Sequence, residues 1–153
     1  MKLTQYSDLG LRLMMYLALR YGEPVTIQEA SDRFSISKNH LVKISHQLTK
    51  SGLIESLRGR NGGVRLARPP ALISVEEVLR VTEDHFNLVE CFGSGDNHCL
   101  ISGACRLSGV LEAAREAFFA VLRNATLADL VGGGVQLDAL LKPPAANKNR
   151  SIL

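Results

Sequence analysis

The sequence predicts a mainly α-helical chain with a small β-hairpin wing: a winged helix-turn-helix followed by a long C-terminal dimerisation helix. Three observations carry that prediction. Two helical patterns meet at the turn FSIS, residues 34 to 37. An alternating hairpin centred on glycines follows at residues 53 to 70. A continuous apolar stripe then runs along CRLSGVLEAAREAFFAVLRN, which begins at Cys105. With 153 residues, 46% of them hydrophobic, the chain has the length of one domain and enough apolar surface for a core.

The elements follow in order. From Leu3 to Arg20 the apolar residues Leu9, Leu11, Leu13, Met14, Leu17 and Leu19 are too dense for a surface helix, so the first helix is expected to be mostly buried, with Gly22 and Pro24 stopping it. TIQE, residues 26 to 29, has the spacing of a capping box with Thr26 as N-cap and Glu29 reaching back, and opens a short helix to about Arg33. Ser37 is placed to cap a third helix, in which Leu41, Ile44 and Leu48 form the inward stripe and Gly52 marks the end.

That third helix opens with Lys38, Asn39 and His40 and continues to Lys43. These are side chains that read DNA from a recognition helix, since Asn bonds adenine bidentately and Lys meets phosphates or guanine. A solvated polar face is the alternative. The hairpin favours the DNA reading: Ile54 to Leu57 and Val64 to Ala67 are the expected strands, and the loop between them carries Arg58, Arg60 and Asn61 beside Gly62 and Gly63. A cationic tip of this kind fits phosphate or minor-groove contacts. GRNGG lacks the lysine and following helix of a phosphate-binding P-loop.

SVEE, residues 74 to 77, repeats the capping-box spacing and starts a short helix through Val81, and TLAD, residues 126 to 129, caps a last one. Between them lies the long helix, with Leu107, Val110, Leu111, Ala114, Phe118, Val121 and Leu122 on one stripe. A stripe of that length needs a partner, and a protein with one recognition helix reads two half-sites as a homodimer. The expected division is a DNA-binding domain at 1–70, a cysteine loop and dimerisation helix at 71–142, and a disordered polar tail at 143–153.

Charge agrees with this division. Residues 1 to 70 carry eleven Lys and Arg against five Asp and Glu, whereas residues 71 to 153 carry seven against ten. The one-sided basic excess points to double-stranded DNA. The N-terminus MKLTQYSDLGLR lacks the apolar core of a secretory signal, and no apolar run approaches the roughly 18 residues of a membrane span, so a cytoplasmic protein is expected.

All three cysteines, Cys91, Cys99 and Cys105, sit in CFGSGDNHCLISGAC with spacing C-x7-C-x5-C. In a reducing compartment such a cluster binds metal or acts as a redox site more readily than it forms structural disulfides. Thiolates suit iron–sulfur clusters and zinc, and the loop glycines let the chain fold around a bulky group. Either metal needs a fourth ligand. Glu90 beside the loop, His98 within it and an exogenous small molecule are candidates.

LTQYSDLGLR, SISKNHLVKI, RGRNGGVRLARP, the three-cysteine loop ending in GACRL and the late TLADLV, in this order over roughly residues 1 to 131, resemble the winged-helix iron–sulfur repressors of the IscR and NsrR kind. Within that family the resemblance is strongest to the nitric-oxide-sensing NsrR branch. It implies a homodimer that holds an iron–sulfur cluster, 4Fe–4S or 2Fe–2S, on Cys91, Cys99 and Cys105, with Asp8 of the partner subunit as fourth ligand. It further implies binding to a palindromic operator, release when nitric oxide attacks the cluster, and control of nitric oxide detoxification genes.

Other readings are a regulator that senses iron–sulfur status or peroxide through a cluster, zinc or bare thiols, and a protein-binding module without DNA. The cations at Lys38, Arg58 and Arg60 argue against the module. An enzyme is not expected: Ser35 and Lys38 match S-x-x-K, but the S-D-N and K-T-G motifs that accompany it are absent.

Overall fold

The computed structural model describes residues 2–59, 62–93, 95–132 and 139; Arg60, Asn61 and the tail at 143–153 lie outside the described residues. Helix α1 (Gln5–Leu19) opens at Thr4, whose hydroxyl accepts the Ser7 N–H. It passes through the middle of the core, with Leu13 and Met14 completely covered and Leu9, Tyr16 and Leu17 nearly so. Leu11 and Leu19 are only half-buried. Thr4 also ties the start of α1 to the chain beyond the fourth helix, donating from its N–H and its hydroxyl to Glu83 Oε1 at 2.7 and 3.0 Å.

Helix α2 (Ile27–Phe34) begins as expected at Thr26, whose hydroxyl accepts the Glu29 N–H at 3.0 Å. The expected return bond from Glu29 is not made. Its carboxylate instead accepts the Tyr16 hydroxyl at 2.6 Å and faces the Arg20 guanidinium. The physical reason is that a buried phenol needs an acceptor more than an N-cap amide open to water does. Burial, reinforced by this bond, raises the Tyr16 pKa above its ordinary value.

The turn into α3 (Lys38–Lys50) passes through Ser35 in the left-handed region at φ 53°. The Ser31 hydroxyl holds it by donating to the Ile36 carbonyl at 2.6 Å. Ser37 stands at the N-cap position of α3, but its side chain makes no capping bond, contrary to expectation. Leu41, Ile44 and Leu48 point inward and are completely covered. Gly52, at φ +77°, then turns the chain into the hairpin.

Strands β1 (Ile54–Leu57) and β2 (Gly63–Leu66) pair antiparallel, Ile54 opposite Leu66 and Leu57 opposite Gly63. The second strand lies one residue earlier than expected. Val64 also bonds Val25 in both directions, at 2.9 and 2.8 Å, which draws Gly63 against the segment before α2. A Cβ at Gly63 would meet the Val25 carbonyl oxygen at 2.6 Å, so only glycine allows this approach.

Helices α4 (Val75–Thr82) and α6 (Leu127–Val131) both carry the full reciprocal capping box, Ser74 with Glu77 and Thr126 with Asp129. Ile73, Val78 and Leu127 join the core built by α1, α3 and the hairpin. Helix α5 (Arg106–Asn124) touches this body mainly through Phe119, its single buried residue. The Phe119 ring packs edge-on to Phe86 at 4.7 Å and lies under the Arg80 guanidinium at 4.2 Å.

Glu76 fastens α5 to α4. Its side chain is only 8% exposed and meets Arg80 and Arg123, each at 2.7 Å. Hydrogen bonding from Arg123, and then from Arg80, outweighs burial and lowers its pKa. On the opposite side of α5, Leu107, Val110 and Val121 are each at least 60% exposed. Of the stripe read from the sequence, Leu111, Phe118 and Leu122 are half-buried, and the described residues leave the remainder uncovered.

Candidate functional site

Two surfaces hold the candidate site residues, and the first is the outward side of α3. Lys38, Asn39, His40 and Lys43 are all exposed, and Val42, His46 and Lys50 continue the same side at helical spacing. Arg80 and Val81 of α4 join Val42, Lys43, His46 and Lys50 around a shallow groove. Gln47 donates its side-chain amide to the Val81 carbonyl, which locks the end of α4 to α3. Among the described residues none of Lys38, Lys43 and Lys50 is in an ion pair, so their charge faces solvent.

The wing divides its cations. Arg65 is neutralised by Glu55, its cross-strand partner, at 2.6 Å, and Arg68 by Glu77 at 2.8 Å. Arg58, next to the tip, is exposed. Arg65 thus links the two strands and Arg68 ties the end of the hairpin to α4, whereas Arg58 is in no ion pair among the described residues.

The second surface is the cysteine loop. Cys91 sits on a single 3-10 turn, Glu90–Phe92, and Cys105 at the N-cap position of α5, where its side chain makes no capping bond. Cys99 lies between them, and all three thiols are free and half-buried. Short bonds shape the loop. Glu90 Oε1 accepts the His98 N–H at 2.8 Å, Asn97 Oδ1 accepts the Cys99 N–H at 3.0 Å, and the Ser108 hydroxyl donates to the Cys105 carbonyl at 2.7 Å. Arg115 of α5 stacks on Phe92 at 5.2 Å, beside Cys91.

Among the described residues, no three Cys, His, Asp or Glu side chains are gathered at a metal-sized point. Asp8 stands on the first turn of α1. It is half-exposed and paired with Arg12 at 2.8 Å. Of the other fourth-ligand candidates, Glu90 is engaged by the loop backbone, and His98 follows Asn97 in the same turn.

Sequence reasoning missed Val42, His46, Lys50 and Arg80 on the first surface and Arg115 on the second. The first three were findable, since they repeat from Asn39 at intervals of three, seven and eleven residues. Arg80 and Arg115 arrive from other helices and left no local signal.

Comparison with known proteins identifies the family. The model of the Rrf2 family, described as iron-dependent transcriptional regulators, matches residues 3–133. The chain belongs to the Rrf2 family. The match runs from the start of α1 past α6 and so takes in the cysteine loop as well as the winged helix.

Rrf2 relatives are close. The HTH-type transcriptional regulator NsrR of Bacillus licheniformis is 49% identical over 132 residues, covering 86% of this chain and 92% of that protein. The protein of the same name from Bacillus subtilis is 47% identical over 143 residues, covering 93% and 98%. Among solved structures, IscR of T. potens superposes with a TM-score of 0.70 at 28% identity, covering 90% of each chain. The winged helix of this Rrf2 protein is therefore that of a DNA-binding transcriptional regulator. Among the described residues no helix is long and apolar enough to cross a membrane.

Proposed function

We propose that this chain is a repressor that senses nitric oxide through an iron–sulfur cluster and controls genes for nitric oxide detoxification. The observation that carries the reading is the pairing of 47–49% identity, over most of the chain, to proteins named NsrR with three free, half-buried thiols on one loop. The donor set fits such a cluster. The thiols are unbridged, partly accessible and not used in capping, and thiolates are the preferred ligands of iron–sulfur centres.

Cys91, Cys99 and Cys105 would hold the cluster, of the 4Fe–4S or 2Fe–2S type, and Asp8 of a second copy would complete it. Iron so bound supplies a site at which nitric oxide reacts. Asp8 must leave Arg12 to serve as a ligand, and a half-exposed pair of this kind costs little to part. The exposed Leu107, Val110 and Val121 of α5 support a homodimer, since apolar side chains repeated along one helix face in water are otherwise unfavourable.

The unit at 1–70 reads DNA, and the unit at 71–142 senses and dimerises. Lys38, Asn39, His40 and Lys43 enter the major groove of a palindromic operator, and Arg58, Arg60 and Asn61 contact it from the wing. A signal at the loop changes DNA affinity only if both surfaces share a conformational equilibrium. Packed contacts run between them: Phe92 to Arg115 on α5, Phe119 to Arg80 on α4, and Val81 to Gln47 on α3.

Anaerobic purification tests the reading. Visible absorbance with matching iron and sulfide supports it. A colourless protein that holds zinc or no metal contradicts it and leaves a thiol or zinc regulator.

A further inference from the structure

We propose that Val42 reads the methyl group of a thymine in the major groove. The inference deepens the DNA-binding reading above and rests on it. Val42 is 48% exposed on the outward side of α3, while the inward residues Leu41, Ile44 and Leu48 are completely covered. It has no part in the core. A β-branched residue is also a slightly unfavourable choice at an exposed helix position, so helix propensity does not explain it either.

A single exposed valine carries no meaning by itself. Its surroundings supply one. Lys43, His46 and Lys50 of α3 line the same groove, with Val81 and the Glu76-paired Arg80 along its α4 edge, so Val42 stands beside two lysines that are in no ion pair among the described residues, on the surface read above as meeting DNA. Duplex DNA offers such a surface one apolar projection in its major groove, the C5-methyl of thymine. Val42 also lies in the N-terminal half of α3, the part of a recognition helix that reaches base edges, whereas Lys50 at the far end is placed for phosphates. Asn39, three residues earlier on the same side, carries the amide that pairs with adenine. Together the two residues specify an A·T-containing half-site.

The test uses the full chain, purified without oxygen, and duplexes it selects from a random-sequence pool. Each thymine of a selected duplex is replaced in turn by uracil, which lacks only the methyl, and affinities are measured for the wild type and for Val42→Ala. One thymine per half-site should stand out, its replacement weakening wild-type binding about fourfold, the worth of one buried methyl. Val42→Ala should bind the thymine duplex as weakly as the wild type binds the uracil duplex and ignore the replacement at that position. Val42→Thr, which keeps a methyl, should retain the preference. A wild type indifferent to every replacement, or a Val42→Ala protein as sensitive as the wild type, overturns the assignment. Selection of no duplex at all would instead overturn the DNA-binding reading beneath it, before any variant is made.

Discussion

Glu90 Oε1 accepts a hydrogen bond from the His98 backbone N–H at 2.8 Å, tying the residue before Cys91 to the residue before Cys99. The Glu90 carboxylate thus braces the loop. Glu90→Ala should therefore shed iron to a chelator roughly tenfold faster, the usual cost of losing an outer-shell partner. Glu90→Gln keeps an acceptor and should stay close to the wild type. Equal rates for all three proteins would show that the brace has no role.

Asp8 and Arg12 make the opposite case, in which a candidate ligand is held elsewhere. Asp8→Ala should change the visible spectrum and shorten cluster lifetime, while Arg12→Ala, which removes the competing cation, should lengthen it. Both should melt near the wild type, because an exposed i,i+4 pair contributes only about 0.3–0.5 kcal/mol. An unchanged spectrum in Asp8→Ala would exclude Asp8 as the ligand.

Glu76 makes acid stability a readout of the α4–α5 joint. Its folded-state pKa lies below the ordinary 4.5, chiefly through the Arg123 hydrogen bond, so its contribution is complete above that pH and fades as pH falls through the lower folded value. Glu76→Gln should lose about 1–2 kcal/mol at pH 7, since the half-exposed arginines regain water. The gap to the wild type should close on acidification. Urea unfolding at pH 7 and pH 3 measures it, and a gap independent of pH would contradict the assignment.

Arg58 and Arg65 should separate in their salt dependence. Arg58 is exposed near the wing tip, and Arg58→Ala should lower the slope of log affinity against log salt by about 0.9, one phosphate contact. Arg65 is already neutralised by Glu55, so Arg65→Ala should leave the slope nearly unchanged. Equal slopes for the two variants would remove the distinction between stem and tip.

Much of this architecture was legible because its determinants are local. Ser74 with Glu77 and Thr126 with Asp129 announced two helix starts, and Leu41, Ile44 and Leu48 announced the inner side of the recognition helix at the spacing a helix requires. What escaped depends on contacts distant in sequence. Glu29 abandoned its cap for Tyr16 on another helix, β2 shifted by a residue because Val25 pairs with Val64, and Phe119, beside the stripe counted from Leu107, became the anchor of α5 by meeting Phe86 and Arg80. The three cysteines could be counted in the sequence, but the brace that shapes their loop depends on Glu90 and His98 meeting across eight residues.

In the function proposed above, nitric oxide at the cysteine loop controls DNA affinity at α3 and the wing. Anaerobic titration of the iron-loaded protein with nitric oxide, following binding to a selected operator duplex and the visible spectrum in the same samples, separates the possible outcomes. DNA release in step with bleaching of the cluster is the predicted result, and it should vanish in a Cys99→Ala protein. Bleaching with unchanged DNA affinity would contradict it.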